Sequence, residues 1–188
     1  MTEDTHSVLV VTKDSKLSQT ISAMLVAPLF ETDVLNDFNE ARRRATERMY
    51  NIILIDYADG EGADFAIDTS ENLSTILLLA PPALYEEVSY RVEGYGIITF
   101  VNPFDQFSFY TMIKAAIAVQ YKVQVLSSQT TKLKVKMEEI KQVNRAKMLL
   151  MQNMSMSEQE AHRFIEKDAM DRGMKRIAVA DEIIKRYG

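Results

Sequence analysis

The amino-acid sequence predicts an α/β protein: a doubly wound, five-stranded parallel sheet, followed by a long coiled-coil helix and a small C-terminal three-helix bundle. Three observations predict it. Short Val/Ile/Leu runs alternate with helical patterns over residues 1–118. The 47 residues from Phe107 to Asn153 contain neither proline nor glycine. Beyond them, Ser157-x-x-Glu160 and Gly173 punctuate two further amphipathic stretches.

The elements follow in order. Val8–Val11 reads as a buried strand, with a polar turn and a helix around Leu17–Leu25 after it. Thr32–Asn36 is the second strand and Asn39–Met49 a basic helix. Ile52–Ile55, Ile76–Leu79 and Ile97–Val101 are the remaining strands, with a helix at Ala83–Glu93 between the last two. Continuous apolar runs suit strands covered by helices on both faces, and their alternation with helices gives a parallel sheet. The acidic residues Asp59, Glu61 and Asp64 after the third strand read as a solvated loop.

Asp56 ends the third strand, and Asn102-Pro103-Phe104 ends the fifth. In order and spacing, residues 1–118 resemble the receiver domain of bacterial response regulators, a flavodoxin-like fold. The resemblance implies that Asp56 stands at the phosphoacceptor position. It also implies an acidic pair after the first strand to hold Mg²⁺, a Thr or Ser ending the fourth strand, and a Lys ending the fifth. This sequence has Thr12 and Lys13, Ala80, and Asn102 at those positions, while Phe100 matches the switch aromatic. Mg²⁺ needs hard oxygen ligands, and a lysine ammonium near Asp56 would favour its carboxylate without metal. The expectation is a pseudo-receiver in which Asp56 pairs with Lys13 or caps a turn and is not used for phosphorylation.

The uninterrupted stretch carries a heptad pattern. Met112, Val119, Leu126, Leu133 and Ile140 fall at one apolar position, and Ala116, Val123, Thr130, Met137 and Asn144 at the other. Such 4-3 spacing predicts a coiled coil over residues 119–139. Val119, Val123, Leu126, Leu133, Met137 and Ile140 are its candidate contacts, and Asn144 a register-fixing residue. The opposing possibility is that this stripe packs on the chain's own sheet domain. Lysines at flanking positions, Lys136 against Lys141 among them, repel only weakly when exposed.

Residues 140–188 read as three short helices. Ser157-x-x-Glu160 is a capping box, and Gly173 suits a helix C-terminus with Met174 as the apolar contact beyond it. Ala161, Phe164, Ile165 and Ala169 share one face, as do Ile177, Ala180, Ile183 and Ile184. Tyr187 is expected to be exposed. Ala146-Lys147, Leu150-Met151, Ser157-Glu158-Gln159-Glu160-Ala161, Ala169-Met170 and Val179-Ala180 … Ile183-Ile184 together resemble the ANTAR domain of transcription antitermination regulators. That resemblance implies binding to RNA hairpins in nascent mRNA leaders. Lys147, Arg163, Arg172, Lys175 and Arg176 are the candidate RNA-binding residues, the last three clustered around Gly173.

Composition narrows the alternatives. Residues 1–120 hold eight Lys/Arg against 18 Asp/Glu, a charge of −10, while residues 121–188 hold 14 against nine, or +5. The basic half is the candidate for a polyanionic partner, though the same charge suits a solvated helix surface. Without cysteine, and with only His6 and His162, thiolate metal sites are excluded and no metal or cofactor is expected. No phosphate-cradling glycine loop or nucleophile elbow is present, so an enzyme is the weakest reading. No signal peptide or membrane span is evident, and a cytoplasmic location is expected. The favoured function is a homodimeric, RNA-binding antitermination regulator whose receiver-like part answers to a partner protein, a ligand or expression level. A phosphorylation-switched regulator using Asp56 and a protein–protein adaptor remain the alternatives.

Overall fold

The computed structural model describes residues 5–188. Five strands, β1 (His6–Val11), β2 (Phe30–Leu35), β3 (Ile52–Asp56), β4 (Thr75–Ala80) and β5 (Ile98–Val101), form one parallel sheet in the order β2-β1-β3-β4-β5. All pairings are parallel, with Val10 opposite Leu54 and Leu54 opposite Leu77 through the centre. The strand order reverses at β1 and β3, so the C-terminal ends of these strands flank the crevice where doubly wound sheets place their sites.

Strand side chains alternate between faces, and each face carries its own core. Leu9, Val11, Ile53, Ile55, Leu78 and Ala80 pack under α2 (Phe38–Glu47), α3 (Glu61–Asp68) and α4 (Tyr85–Val92). Val8, Val10, Ile52, Leu54, Leu77 and Leu79 pack under α1 (Ser15–Met24) and the start of α5 (Gln106–Met154). Each fully buried Leu or Ile contributes about 1.5–3 kcal/mol. Asp14 and Asp37 cap α1 and α2 by accepting backbone N–H bonds.

The helix α3 corrects the solvated loop expected around Asp59, Glu61 and Asp64. Glu61 and Asp64 lie in its first turn, where carboxylates favour the helix dipole, and Ala63, Phe65 and Ala66 are buried. Gly62 explains the close packing. A Cβ there would lie 1.9 Å from the backbone oxygen of Asp56, so only glycine lets α3 approach the end of β3.

The helix α5 is continuous over 49 residues. Its first turns belong to the sheet domain: Phe109, Met112, Ile113 and Ala116 are buried, and Gln120 accepts a bond from the Thr75 hydroxyl at 3.0 Å. Met112 and Ala116 therefore pack on the sheet, as the opposing possibility held for the whole stripe. Beyond them Val119, Leu126, Leu133, Met137 and Ile140 are exposed. The chain divides into two compact units, Met1–Val125 and Leu126–Gly188, and α5 contributes to both.

In the second unit α6 (Glu158–Asp171) and α7 (Arg176–Tyr187) follow α5. Ala146, Leu150, Ala161, Ile165, Ala169, Val179, Ala180 and Ile183 form its core. Ser157 and Glu160 complete the capping box. At the end of α6, Gly173 (φ 61°) adopts the left-handed conformation. Its N–H reaches the Met170 carbonyl and the Met174 N–H that of Ala169, which is a Schellman motif. Phe164 is exposed rather than buried, because the buried face is the narrower Ala161/Ile165/Ala169 row. Tyr187 is partly covered instead of exposed; it packs on this core and its hydroxyl lies 3.7 Å from the Met154 sulfur.

Gly62→Ala is expected to lower stability by about 2 kcal/mol or more, as overpacking against backbone does. A reduced urea midpoint of the full chain, with α3 displaced from Asp56, is the readout.

Candidate functional site

Two places gather the candidate side chains: the C-terminal ends of β1, β3, β4 and β5, and the cationic surface of the second unit.

At the first, Asp56 is half-buried and Thr12 fully buried. The Thr12 hydroxyl donates to Asp56 Oδ2 at 2.9 Å, while the backbone N–H of Tyr57 donates to the Leu79 carbonyl at 2.9 Å. Lys13 does not pair with Asp56 as expected. Its ammonium meets Glu61 Oε2 at 2.5 Å and lies 5.6 Å from the Phe38 ring centre. The sequence reads Glu61 as loop, and nothing in it marks Glu61 as the partner of Lys13. Burial pushes the Asp56 carboxyl above the ordinary carboxylate range, partly offset by the bond from the Thr12 hydroxyl.

The surrounding donors do not fit a divalent cation. Thr12 already spends its hydroxyl proton on Asp56, Lys13 brings a positive charge, and Asp14 accepts the N–H groups of Lys16 and Leu17. Ala80 is buried and offers no hydroxyl. Asn102 is neutral at the end of β5, and Phe100 is partly buried against the α1/α5 core. Among the described residues no group of three or more acidic or imidazole side chains could hold a metal. The turn after Asp56 carries Ala58, Asp59 and Gly60 successively at positive φ (44°, 53° and 98°), a strained connection of about 1 kcal/mol or more per non-glycine residue.

In the second unit, the candidate cations fall into two groups. Three are held by neighbours. Lys147, with 14% of its side chain exposed, donates to Glu158 Oε1 at 2.8 Å and ties α5 to α6. Arg172 forms a two-pronged bond to Glu182 (2.7 and 2.8 Å) and a third to Asp168 at 3.0 Å, clamping α6 to α7. Those bonds raise the Arg172 pKa and hold the Glu182 carboxyl below its usual range. Arg176 meets Glu166 at 3.1 Å, and His162 approaches the same carboxylate at 3.4 Å. Arg163 and Lys175 form the second group: both are exposed and make no ion pair among the described residues.

A groove of about 870 Å³ lies between α5, α6 and α7. Of its lining, the sequence nominates Lys147, Lys175 and Arg176 as RNA-binding candidates without bringing them together, and it leaves out Lys136, Asn144 and His162 as their neighbours. The signal was present: residues 136, 140, 143, 144 and 147 share one helical face.

Residues 131–184 match the ANTAR domain family. Several solved structures are similar in fold. The CheY-like receiver domain protein from Methanospirillum hungatei JF-1 is 16% identical with a TM-score of 0.56, covering 63% of this chain and 98% of that one. NtrX from Brucella abortus is 13% identical with a TM-score of 0.59; the match covers 67% of this chain and 30% of that one, so the chain spans less than a third of that protein. The adenylate cyclase from Rhodopirellula baltica is 19% identical with a TM-score of 0.60, over 70% of this chain and 98% of that one. At these identities the likeness establishes the fold alone. No curated protein sequence matches the chain. No helix among the described residues is long and apolar enough to cross a membrane.

The raised pKa of Asp56 fixes the sign of its linkage to stability. Its folded pKa lies above its unfolded one, so ionisation opposes folding, and the penalty fades as pH falls through the folded pKa. Asp56→Asn keeps an oxygen acceptor for Thr12. It is expected to raise the melting temperature at pH 7, with the difference from wild type shrinking on acidification. A lower melting temperature at pH 7 would contradict this account.

Proposed function

We propose that this chain, which joins a receiver fold to an ANTAR domain, is a dimeric RNA-binding regulator of transcription antitermination. The observation that carries the reading is the family match over residues 131–184, since that family acts through hairpins of nascent mRNA leaders. The charge distribution supports it: the excess of 14 Lys/Arg over nine Asp/Glu lies in residues 121–188, and a phosphate backbone rewards such an excess. Arg163 and Lys175 are the direct phosphate contacts in this reading. Lys147, Arg172 and Arg176 border them and hold the helices that present them.

The dimer forms through the coiled-coil stripe of α5 over residues 119–139. Val119, Leu126, Leu133 and Met137 support it, because they are apolar, exposed and regularly spaced, and burial of several such residues contributes several kcal/mol per helix. Two bundles on one dimer engage two hairpins at high effective concentration. The ANTAR-like unit comprises residues 140–188 and the pseudo-receiver residues 1–118. Cytoplasmic RNA is the target, and the protein has no catalytic role.

The receiver fold acts without phosphoryl transfer and answers to a partner protein or a ligand. The Thr12–Asp56 bond and the substitutions at Lys13, Ala80 and Asn102 support this. Incubation with acetyl phosphate and Mg²⁺ is expected to leave the full chain unmodified by mass spectrometry. A stoichiometric phosphoryl adduct lost in Asp56→Asn would return Asp56 to use as a switch.

A protein–protein adaptor is the second reading, favoured by the ion pairs that already occupy Lys147, Arg172 and Arg176. Salt separates the two. Affinity for a fluorescent paired-hairpin leader RNA should fall steeply between about 50 and 200 mM salt, with Lys175→Ala reducing the log–log slope by about 1. Leu126→Lys should give a monomer by light scattering at micromolar concentration and lose the paired-hairpin advantage. No RNA binding at about 100 mM salt, where screening acts beyond roughly 10 Å, would favour the adaptor.

A further inference from the structure

We infer that the groove between α5, α6 and α7 seats one extruded RNA nucleotide, its base on aliphatic side chains and its phosphate between Lys136 and Lys175. The inference rests on the RNA reading above and names the feature of the RNA that is recognised. The volume, about 870 Å³, lies within the ~300–1,000 Å³ range of clefts that take small ligands. That suits a single nucleotide rather than a length of duplex.

The lining has two chemical parts. Ile140, Val143, Met174 and Ile177 are apolar. Lys136, Lys147, Lys175 and Arg176 face one carboxylate, Glu139. Two of these cations are answered elsewhere, Lys147 by Glu158 and Arg176 by Glu166. Lys136 and Lys175 make no ion pair among the described residues, so the groove keeps unbalanced positive charge beside apolar surface. An occupant with a flat apolar face and an anion fits both parts. A paired base hides its faces in the stack, whereas an unpaired loop base offers one.

Two further features point the same way. The first turn of α7 has no side-chain cap, so the Arg176 and Ile177 N–H groups lack intrahelical partners and can reinforce the lysines at a phosphate. Asn144 lines the groove and is exposed. Its amide presents a donor and an acceptor together, the pair needed to read a base edge. Asn144 and Ile140 also fall in the heptad pattern, so a second copy of the chain is the competing occupant.

The test uses the full chain and hairpins enriched by it from a pool with randomised loops, each loop position replaced in turn by 2-aminopurine. One position is expected to brighten on binding, as a base leaving its stack does. Asn144→Ala and Ile177→Ala should each abolish the brightening and weaken binding about tenfold or more. Lys167→Ala, outside the groove, should leave the brightening intact. Asn144→Ala introduces the best helix former at an exposed site, and circular dichroism confirms that the helices persist. If hairpins are enriched and bound, yet no position brightens and both variants bind as wild type, the groove assignment falls and the RNA reading stands. If no hairpin is enriched, the RNA reading fails and takes the groove with it. If the groove variants instead turn a dimer into a monomer by light scattering, a second copy covers the groove and the inference is overturned.

Discussion

The rest of this structure depends on the continuity of α5. A helix is stabilised mainly by the packing of one face, and its intrinsic propensity alone is marginal. The two ends of α5 satisfy that rule: Met112 and Ala116 are buried in one core, Ala146 and Leu150 in the other. The middle does not. Every residue from Ser128 to Glu138 is exposed, including Leu133, Val135 and Met137. Exposed apolar rows of this kind mark interaction sites in soluble proteins. A second helix against this row would supply the missing packing, and that is the ground for the proposed dimer.

What was legible in the sequence was set by the range of the interaction involved. The strands and most helices rest on local period and capping, so Val8–Val11, Ser157-x-x-Glu160 and Gly173 each declared their structure. The helix α3 was hidden because it has only eight residues and begins within a run of glycines and acids. Gly62 looks like a breaker in one dimension. In three it is the residue that lets α3 touch the Asp56 carbonyl. That single omission carried a second one with it: without α3, Glu61 had no position from which to compete with Asp56 for Lys13.

Charge was legible in amount and illegible in availability. The sequence locates Lys147, Arg163, Arg172, Lys175 and Arg176 in a basic region. Which of them are free depends on how α6 and α7 pack, since Arg172 meets Glu182 across ten residues and Lys147 meets Glu158 across eleven. Exposed pairs of this sort add little stability, but they decide which cations remain to meet an anion. Phe164 follows the same logic. Helical spacing puts it next to Ile165, and only the narrow Ala161/Ile165/Ala169 contact leaves it outside the core.

The groove and the coiled-coil stripe meet on α5, and helix geometry argues for a hand-over between them. A straight helix drifts by about 20° per heptad from a perfect seven-residue repeat. From Val119 to Ile140 is three heptads, or a drift of about 60° unless the helices supercoil. Supercoiling removes that drift only where a partner helix packs on the seam, and toward Ile140 α6 and α7 take up the adjoining face of α5 through Ala146 and Leu150. A seam that ended near Met137 would leave Ile140 and Asn144 to the groove. It would also spare Asn144 the loss of stability that a buried polar residue brings to a coiled coil. Under the proposed RNA reading Asn144 would serve recognition rather than register, although its heptad position alone assigns it to the latter.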